Sequence, residues 1–332
     1  MSATLPALLV GSYTATGGGS ATGISIVSAG DAEAADVRTV AVIDDPSFLA
    51  VAGDRVYAVS ETAEGSVAAF RRDGIELEHL WDAPAGGNAP CHVRVDPSGT
   101  LVVTNYVSGT VTAVSLTDGG PAVVTEALPD ASGPVADRQE GPHAHQSIAT
   151  PDGTVLVADL GGDALHEYRI TDAPSIEPVR VHHVAPGVGP RHMAWYDGDL
   201  IVAGELDGHV HRLRRDASGS LVTIASAPTF DGEVGESLLS HIEVDDRGLV
   251  FVAVRGRDLI VVLDAADGGL TLVGSASAGG AWPRHFARVP GFVLVANQMS
   301  DAVAVLPAGD DGVPGAAVAQ IPVGTPTCIV PL

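Results

Sequence analysis

The 332-residue sequence contains no lysine. All 17 basic residues are arginine, set against 41 acids for a formal net charge of −24. The first absence excludes Schiff-base chemistry on a lysine amine. The acidic excess repels phosphate backbones, so no nucleic-acid partner is expected. Cysteine is nearly absent as well: Cys91 and Cys328 are the only two, with no CxxC pair. They point to reduced thiols in the cytoplasm and not to a disulfide framework. No apolar run reaches the 18 or more residues of a membrane helix, so no membrane partner is expected. The start of the chain, MSATLPALLVGSYT, lacks the basic region of a signal peptide and runs straight into strand-like sequence, which again favours the cytoplasm. No GxSxG, P-loop or dinucleotide fingerprint is present, and no cofactor is expected.

What the sequence does contain is repetition. Its composition is that of a folded protein, 45% hydrophobic with a mean hydropathy of +0.26. One unit recurs through it: a Pro, a short strand, a polar turn, a second strand ending in a small polar residue, then a third strand. Copies begin at Pro46, Pro90, Pro142, Pro190, Ser240, Pro283 and Pro326, at spacings of 44, 52, 48, 50, 43 and 43 residues. Those lengths suit four short strands each. Apolar alternation, β-branched residues and Gly/Asp/Pro/Ser turns indicate strand throughout, and no convincing helical period appears. The seventh copy, PTCIVPL, stops after one strand, while ALLVGSYT and GISIVSA near the N-terminus are orphan strands. The glycine-rich segment around residues 17–23 is then a turn between them and not a phosphate cradle. The economical solution is an all-β fold, a seven-bladed β-propeller over residues 1–332 whose N-terminal strands complete the last blade. In that topology the start of each first strand and the end of each second strand lie together at one mouth of the central channel.

The repeats can be compared with one another. Counting back from the turn after each first strand, one position holds His92, Gln146, His192, His241, His285 and Cys328. A residue repeated blade after blade is most simply part of how blades pack. The position just before it changes identity: Cys91, His145, Arg191, Ser240, Arg284, Thr327. That row is where a unique site would be built. A second variable row lies at the ends of the second strands: Glu61, Tyr106, Leu160, Glu205, Arg255 and Gln298, preceded by Ser60, Asn105, Asp159, Gly204, Val254 and Asn297. Asn and Asp in the preceding row suit turns. Arginines at one mouth of so acidic a chain suggest an anion clamp, because the planar fork matches a carboxylate or phosphate. Glu205 with His145 or His143 would make an acid–base pair. A metal reading of the PHAH stretch needs a third ligand, for which Glu205, Asp159 or His192 could be offered, or an oxygen-rich set for calcium. Nothing fixes either, and no metal is assigned.

The segments GSYT (11–14), NAPCHVRVDPSGTLVVTNYVSGTV (88–111), RQEGPHAHQ (138–146), GPRHMA (189–194), GEL (204–206), WPRHFA (282–287) and VANQ (295–298) resemble, in order, the lactonase family of seven-bladed propellers. That family includes propeller-type 6-phosphogluconolactonases and carboxymuconate-cyclising enzymes. The resemblance implies metal-independent lactone chemistry in the central cleft, with functional positions at His145, Glu205, Arg191 and one of Arg255 or Arg284. The family commonly reads NEL where this chain has GEL, and SNR where it has AVR, so Gly204 and Val254 are expected to remove two polar groups from the cleft.

Together these readings give a hydrolase of carbohydrate metabolism, with 6-phosphogluconolactonase the leading expectation. His145, Glu205 and Arg191 would be catalytic, and Arg255, Arg284, His143, His92, Asn105 and Asn297 would bind an anionic lactone. The alternatives are a carboxymuconate-type cycloisomerase and a non-catalytic propeller that binds a partner on its mouth face. A monomer or weak homo-oligomer is expected.

Overall fold

A computed structural model describes residues 3–116, 121–171 and 173–332; Met1 and Ser2, with which the expected domain begins, lie outside them. Among the described residues the strands form seven four-stranded antiparallel sheets and one two-stranded ribbon, Thr4–Leu5 with Gly30–Asp31. The seven sheets are the blades of a propeller. Blades 2 to 6 take their four strands in chain order. Their first strands are Pro90–Val95, Ala144–Ala149, Pro190–Tyr196, Leu238–Val244 and Pro283–Val289. Blade 1 begins with the shorter Leu49–Ala52.

The ring closes as the orphan strands require. The C-terminal strand Pro326–Pro331 pairs with Leu8–Ser12, which continues to Ile24–Val27 and Val37–Ala41 in the same sheet. Leu8 lies opposite Pro331 and Gly11 opposite Cys328, so the two ends of the chain are laced by backbone hydrogen bonds. The sheet edge that an open ring would expose is thereby paired. The glycine-rich segment after Ser12 is the expected turn, with a single 3-10 turn at Ala15–Gly17 ended by Gly18 at φ +78°.

The strands do not all show the alternation read from the sequence. Five of the second strands, such as Leu249–Arg255, are buried at every position, and those of blades 1 and 6 at all but their first residue, because neighbouring blades cover both faces of the sheet. The solvent-facing fourth strands, such as Leu221–Pro228 and Thr271–Ser277, carry most of the exposed positions. Burial on two faces selects continuous Val/Leu/Ile runs and relaxes the period of two.

A recurring irregularity shapes the channel. In blades 2 to 6 the pairing of first and second strand slips just after the first strand begins, and blade 7 slips at the corresponding place. A β-bulge re-aims the side chains at the slip; the residues it frees are those of the variable row in every case, and of the histidine row as well in blades 3 to 5. Small residues in the variable row bond across to the next blade: Ser240 Oγ donates to Pro283 O (2.6 Å) and Thr327 Oγ1 to Ser47 O (2.9 Å). The histidine row does the same. Backbone N–H groups of Ser147, Met193 and Ile329 donate to His92 Nδ1, Gln146 Oε1 and His285 Nδ1 of the preceding blades. Imidazoles meet over the axis, where Phe48 lies 4.5 Å from the His92 ring and 6.0 Å from that of His192. Burial, then the Arg94 guanidinium, push His92 of this collar down to about 3, so His92 is neutral at ordinary pH.

Candidate active site at the mouth of the channel

Where a bulge residue is large, it reaches the mouth. His145, Arg191 and Arg284 come from the first strands of blades 3, 4 and 6. Glu61, Tyr106, Glu205 and Arg255 come from the ends of the second strands of blades 1, 2, 4 and 5. Together with Cys91 and Arg138 they line a cavity of about 230 Å³. First strands are paired with second strands there, Pro190 opposite Gly204 and Leu238 opposite Arg255, which is why two rows far apart in sequence share one end.

Glu205 is the electrostatic centre. It is 2% exposed, with Oε1 2.5 Å from Arg138 Nη2 and Oε2 2.8 Å from both Arg191 Nε and Arg255 Nη2. Burial opposes its charge, but the three guanidiniums outweigh it and hold the carboxyl down at about 2. On the other side, Tyr13 Oη donates to Glu61 Oε1 (2.8 Å), and Arg284 Nη2 lies 3.4 Å from Glu61 Oε2. Burial beside Arg255 and Arg284 lowers Arg191 to about 9, which leaves it cationic at neutral pH. Four guanidiniums face two carboxylates, an excess of two positive charges in a chain of −24. Arg191 Nη1 and Arg255 Nε are buried donors with no hydrogen-bond partner among the described residues. Such donors are costly to bury unless an acceptor enters the cavity.

His145 is 5% exposed, and its Nδ1 also lacks a partner among the described residues. Burial, then Arg191, Arg284 and Arg255, push it well below the ordinary imidazole range, so it is neutral at pH 7. The expected hydrogen-bonded pairing of His145 with Glu205 is not formed: Glu205 is turned onto its three arginines. A carboxylate held at about 2 is also a poor proton acceptor, so Glu205 is placed to orient guanidiniums. Cys91 points its thiol at backbone carbonyls, including that of His145 (3.5 Å), and burial raises it to about 12. No thiolate nucleophile is available there.

Four residues expected to bind substrate lie outside the lining. His143 is stacked on the Tyr106 ring (centroids 4.4 Å, 11°), with Nδ1 2.9 Å from Tyr106 O and Nε2 3.2 Å from Glu140. In PHAH, then, one histidine faces the cavity and the other braces a cavity wall. His92 belongs to the collar below. Asn105 Nδ2 donates to Ala85 O and Thr110 Oγ1, and Asn297 Nδ2 to Ala278 O, both side chains tying their blades together. Asn105→Ala is therefore expected to cost about 1–3 kcal/mol in chemical denaturation, from the acceptors left unpaired. Its KM should stay within about two-fold of wild type; a large KM increase would return Asn105 to the binding site.

The two departures at the strand ends also act elsewhere. Val254 is packed in the core between blades 4 and 5, and a Cβ at Gly204 would meet Asp207 Oδ1 at 2.2 Å. Neither position lines the cavity. Arg138, Glu61, Tyr106 and Cys91 were not singled out from the sequence for the site. Arg138 stands in the RQEGPHAH segment on a loop pinned by Gln139 Nε2 bonding Leu160 O, and Glu61 occupies the row position of Glu205. Among the described residues no group of three His, Cys, Asp or Glu side chains is arranged to hold a metal. Asp159, once a possible ligand, accepts from His143 N and Gly162 N and lies 3.2 Å from His166 Nε2.

A ring-closed seven-bladed propeller with a cationic cavity at one mouth defines the class. The family model "Lactonase, 7-bladed beta-propeller" matches residues 7–331, and the chain belongs to that family. A 6-phosphogluconolactonase of Bacillus subtilis is 32% identical over 280 residues, covering 79% of each chain. Among solved structures, a periplasmic gluconolactonase of Pseudomonas aeruginosa superposes with a TM-score of 0.85 at 28% identity, covering 98% of this chain and 99% of its own. A putative 6-phosphogluconolactonase of Bacteroides fragilis gives a TM-score of 0.86 at 26% identity, covering 98% of both. Membership in the family supports a hydrolase acting on a small-molecule lactone. No helix among the described residues is long and apolar enough to cross a membrane.

Proposed function

We propose that the protein hydrolyses an anionic sugar lactone, 6-phosphogluconolactone foremost, in this cavity. The observation that carries the reading is the guanidinium excess of two charges with buried donors on Arg191 and Arg255 still unpaired. A phosphate monoester dianion matches that excess, and the planar forks suit its oxygens. Arg191, Arg255 and Arg284 would hold the anion and the oxyanion of the tetrahedral intermediate. His145 would take a proton from the attacking water, an aid worth about 10²–10⁴-fold. Glu205 would act through the arginines by fixing their planes. Charge stabilisation comes from guanidiniums, so metal is not required, and Cys91 and Cys328, both free and buried, accord with the cytoplasm.

The test is hydrolysis of freshly generated 6-phosphogluconolactone in the presence of chelator, by wild type and by His145→Ala. Wild-type activity that survives chelator and falls at least 100-fold in the variant is expected. A rate no greater than the spontaneous one would refute the reading, and turnover of a carboxymuconate in its place would assign cyclising chemistry to the same arginines.

A further inference from the structure

An imidazole that takes a proton from water ordinarily has a carboxylate behind it to stabilise the imidazolium that forms. His145 has none. Its Nδ1 is without a partner among the described residues, Glu205 faces Arg138, Arg191 and Arg255, and Glu61 is held by Tyr13 and Arg284. The charges that bear on the ring are positive, from Arg191, Arg284 and Arg255. Its other neighbours carry no charge to offset them: the Tyr106 ring at 5.9 Å, the His192 ring at 5.1 Å, the His92 imidazole and the Cys91 thiol below its backbone. A lone base in a site already carrying two excess positive charges stays unprotonated.

We propose that the anionic group of the substrate is itself the missing counter-charge: seated on the guanidiniums, a dianion cancels their excess and lets His145 accept the proton of the attacking water. This rests on the lactonase reading above. The water oxygen bonds to the lactone carbonyl carbon as its proton passes to His145, and the carbonyl electron pair becomes an oxyanion. Collapse re-forms the carbonyl and breaks the bond to the ring oxygen, which leaves with the proton returned by His145. One water is consumed and nothing else. With the dianion bound, imidazolium and oxyanion form together in a site that is neutral before and after. Without it, the imidazolium forms against an uncancelled excess. Discrimination between anionic and uncharged lactones therefore falls on kcat and not only on KM, because the anion contributes more to the transition state than to the ground state.

Inorganic sulfate, a dianion across the working pH range, serves as the probe, with chloride holding ionic strength constant. In protein labelled with carbon-13 at histidine, the His145 resonance is identified by its loss in His145→Gln. Its titration midpoint is expected to rise by at least one pH unit with saturating sulfate, while that of the exposed His183 does not move. An unchanged His145 midpoint overturns the proposal, whether or not any lactone is turned over. In the kinetic arm, sulfate is expected to raise the kcat for uncharged glucono-δ-lactone at least ten-fold with saturation. No effect, or inhibition, overturns the proposal while hydrolysis of the phosphorylated lactone keeps the lactonase reading intact. If neither lactone is hydrolysed it is the lactonase reading that falls, and the titration alone decides whether an anion controls His145.

Discussion

Arg191→Ala is expected to lower kcat/KM for 6-phosphogluconolactone by about 10²–10³-fold, the cost of removing one preorganised donor from a developing oxyanion. Arg191 is reached by the bulge at the start of the blade-4 first strand, is 3% exposed, and keeps Nη1 free for an incoming acceptor. Its Nε lies 2.8 Å from Glu205, which sets the plane of the fork. Lysine at this position should restore little, since an ammonium is a compact point charge without the planar fork of two parallel donors. Steady-state kinetics above the spontaneous rate check this. A loss smaller than five-fold in Arg191→Ala would mean that the anion and the reacting carbonyl sit elsewhere in the cavity.

The second large effect is on stability. Glu205→Gln leaves Arg138, Arg191 and Arg255 buried or half-buried without their shared counter-charge. Removing one partner of a buried ion pair costs about 3–5 kcal/mol, so a Tm lower by several degrees is expected at pH 7. Folding lowers the Glu205 pKa to about 2 from an ordinary 4.5. Its contribution is therefore complete above about pH 4.5 and is lost as pH falls through about 2. The gap between wild type and variant should be constant above pH 5 and should close on strong acidification. Sulfate should raise the Tm of the variant more than that of wild type, because an anion that binds only the folded state stabilises it. Equal melting curves at pH 7 would show that the guanidiniums find compensation without Glu205.

The repeat, the blade number and the closure by N-terminal strands were all legible in the sequence. Each unit has the same problem of burying its first strand against a neighbour, and solves it with the same residues in the same places. The same comparison separated His145, Arg191 and Arg284 from the histidines that repeat, since a residue that varies among equivalent positions is not needed for the packing they share. Asn105 and Asn297 misled: they were expected at the substrate, but their amides are taken instead by Thr110 on the adjacent strand and by Ala85 O and Ala278 O at the ends of the preceding blades, neighbours that a single repeat does not reveal. Glu205 misled differently. Its row position was legible, but a one-dimensional reading cannot show that three arginines from blade 4, blade 5 and a long loop converge on one carboxylate.

The sequence by itself determined the all-β class, the seven blades, the end of the channel where variable polar residues gather, and the concentration of arginine there. Only the tertiary structure decided which of those residues meet. Direction at the mouth is set by the recurring bulge, which turns a side chain by a single slipped pair, and by the loop that carries Arg138 across to Glu205. Strand alternation can be counted along a chain, but the balance of four guanidiniums against two carboxylates, and an imidazole left without a carboxylate, are sums over neighbours from different blades.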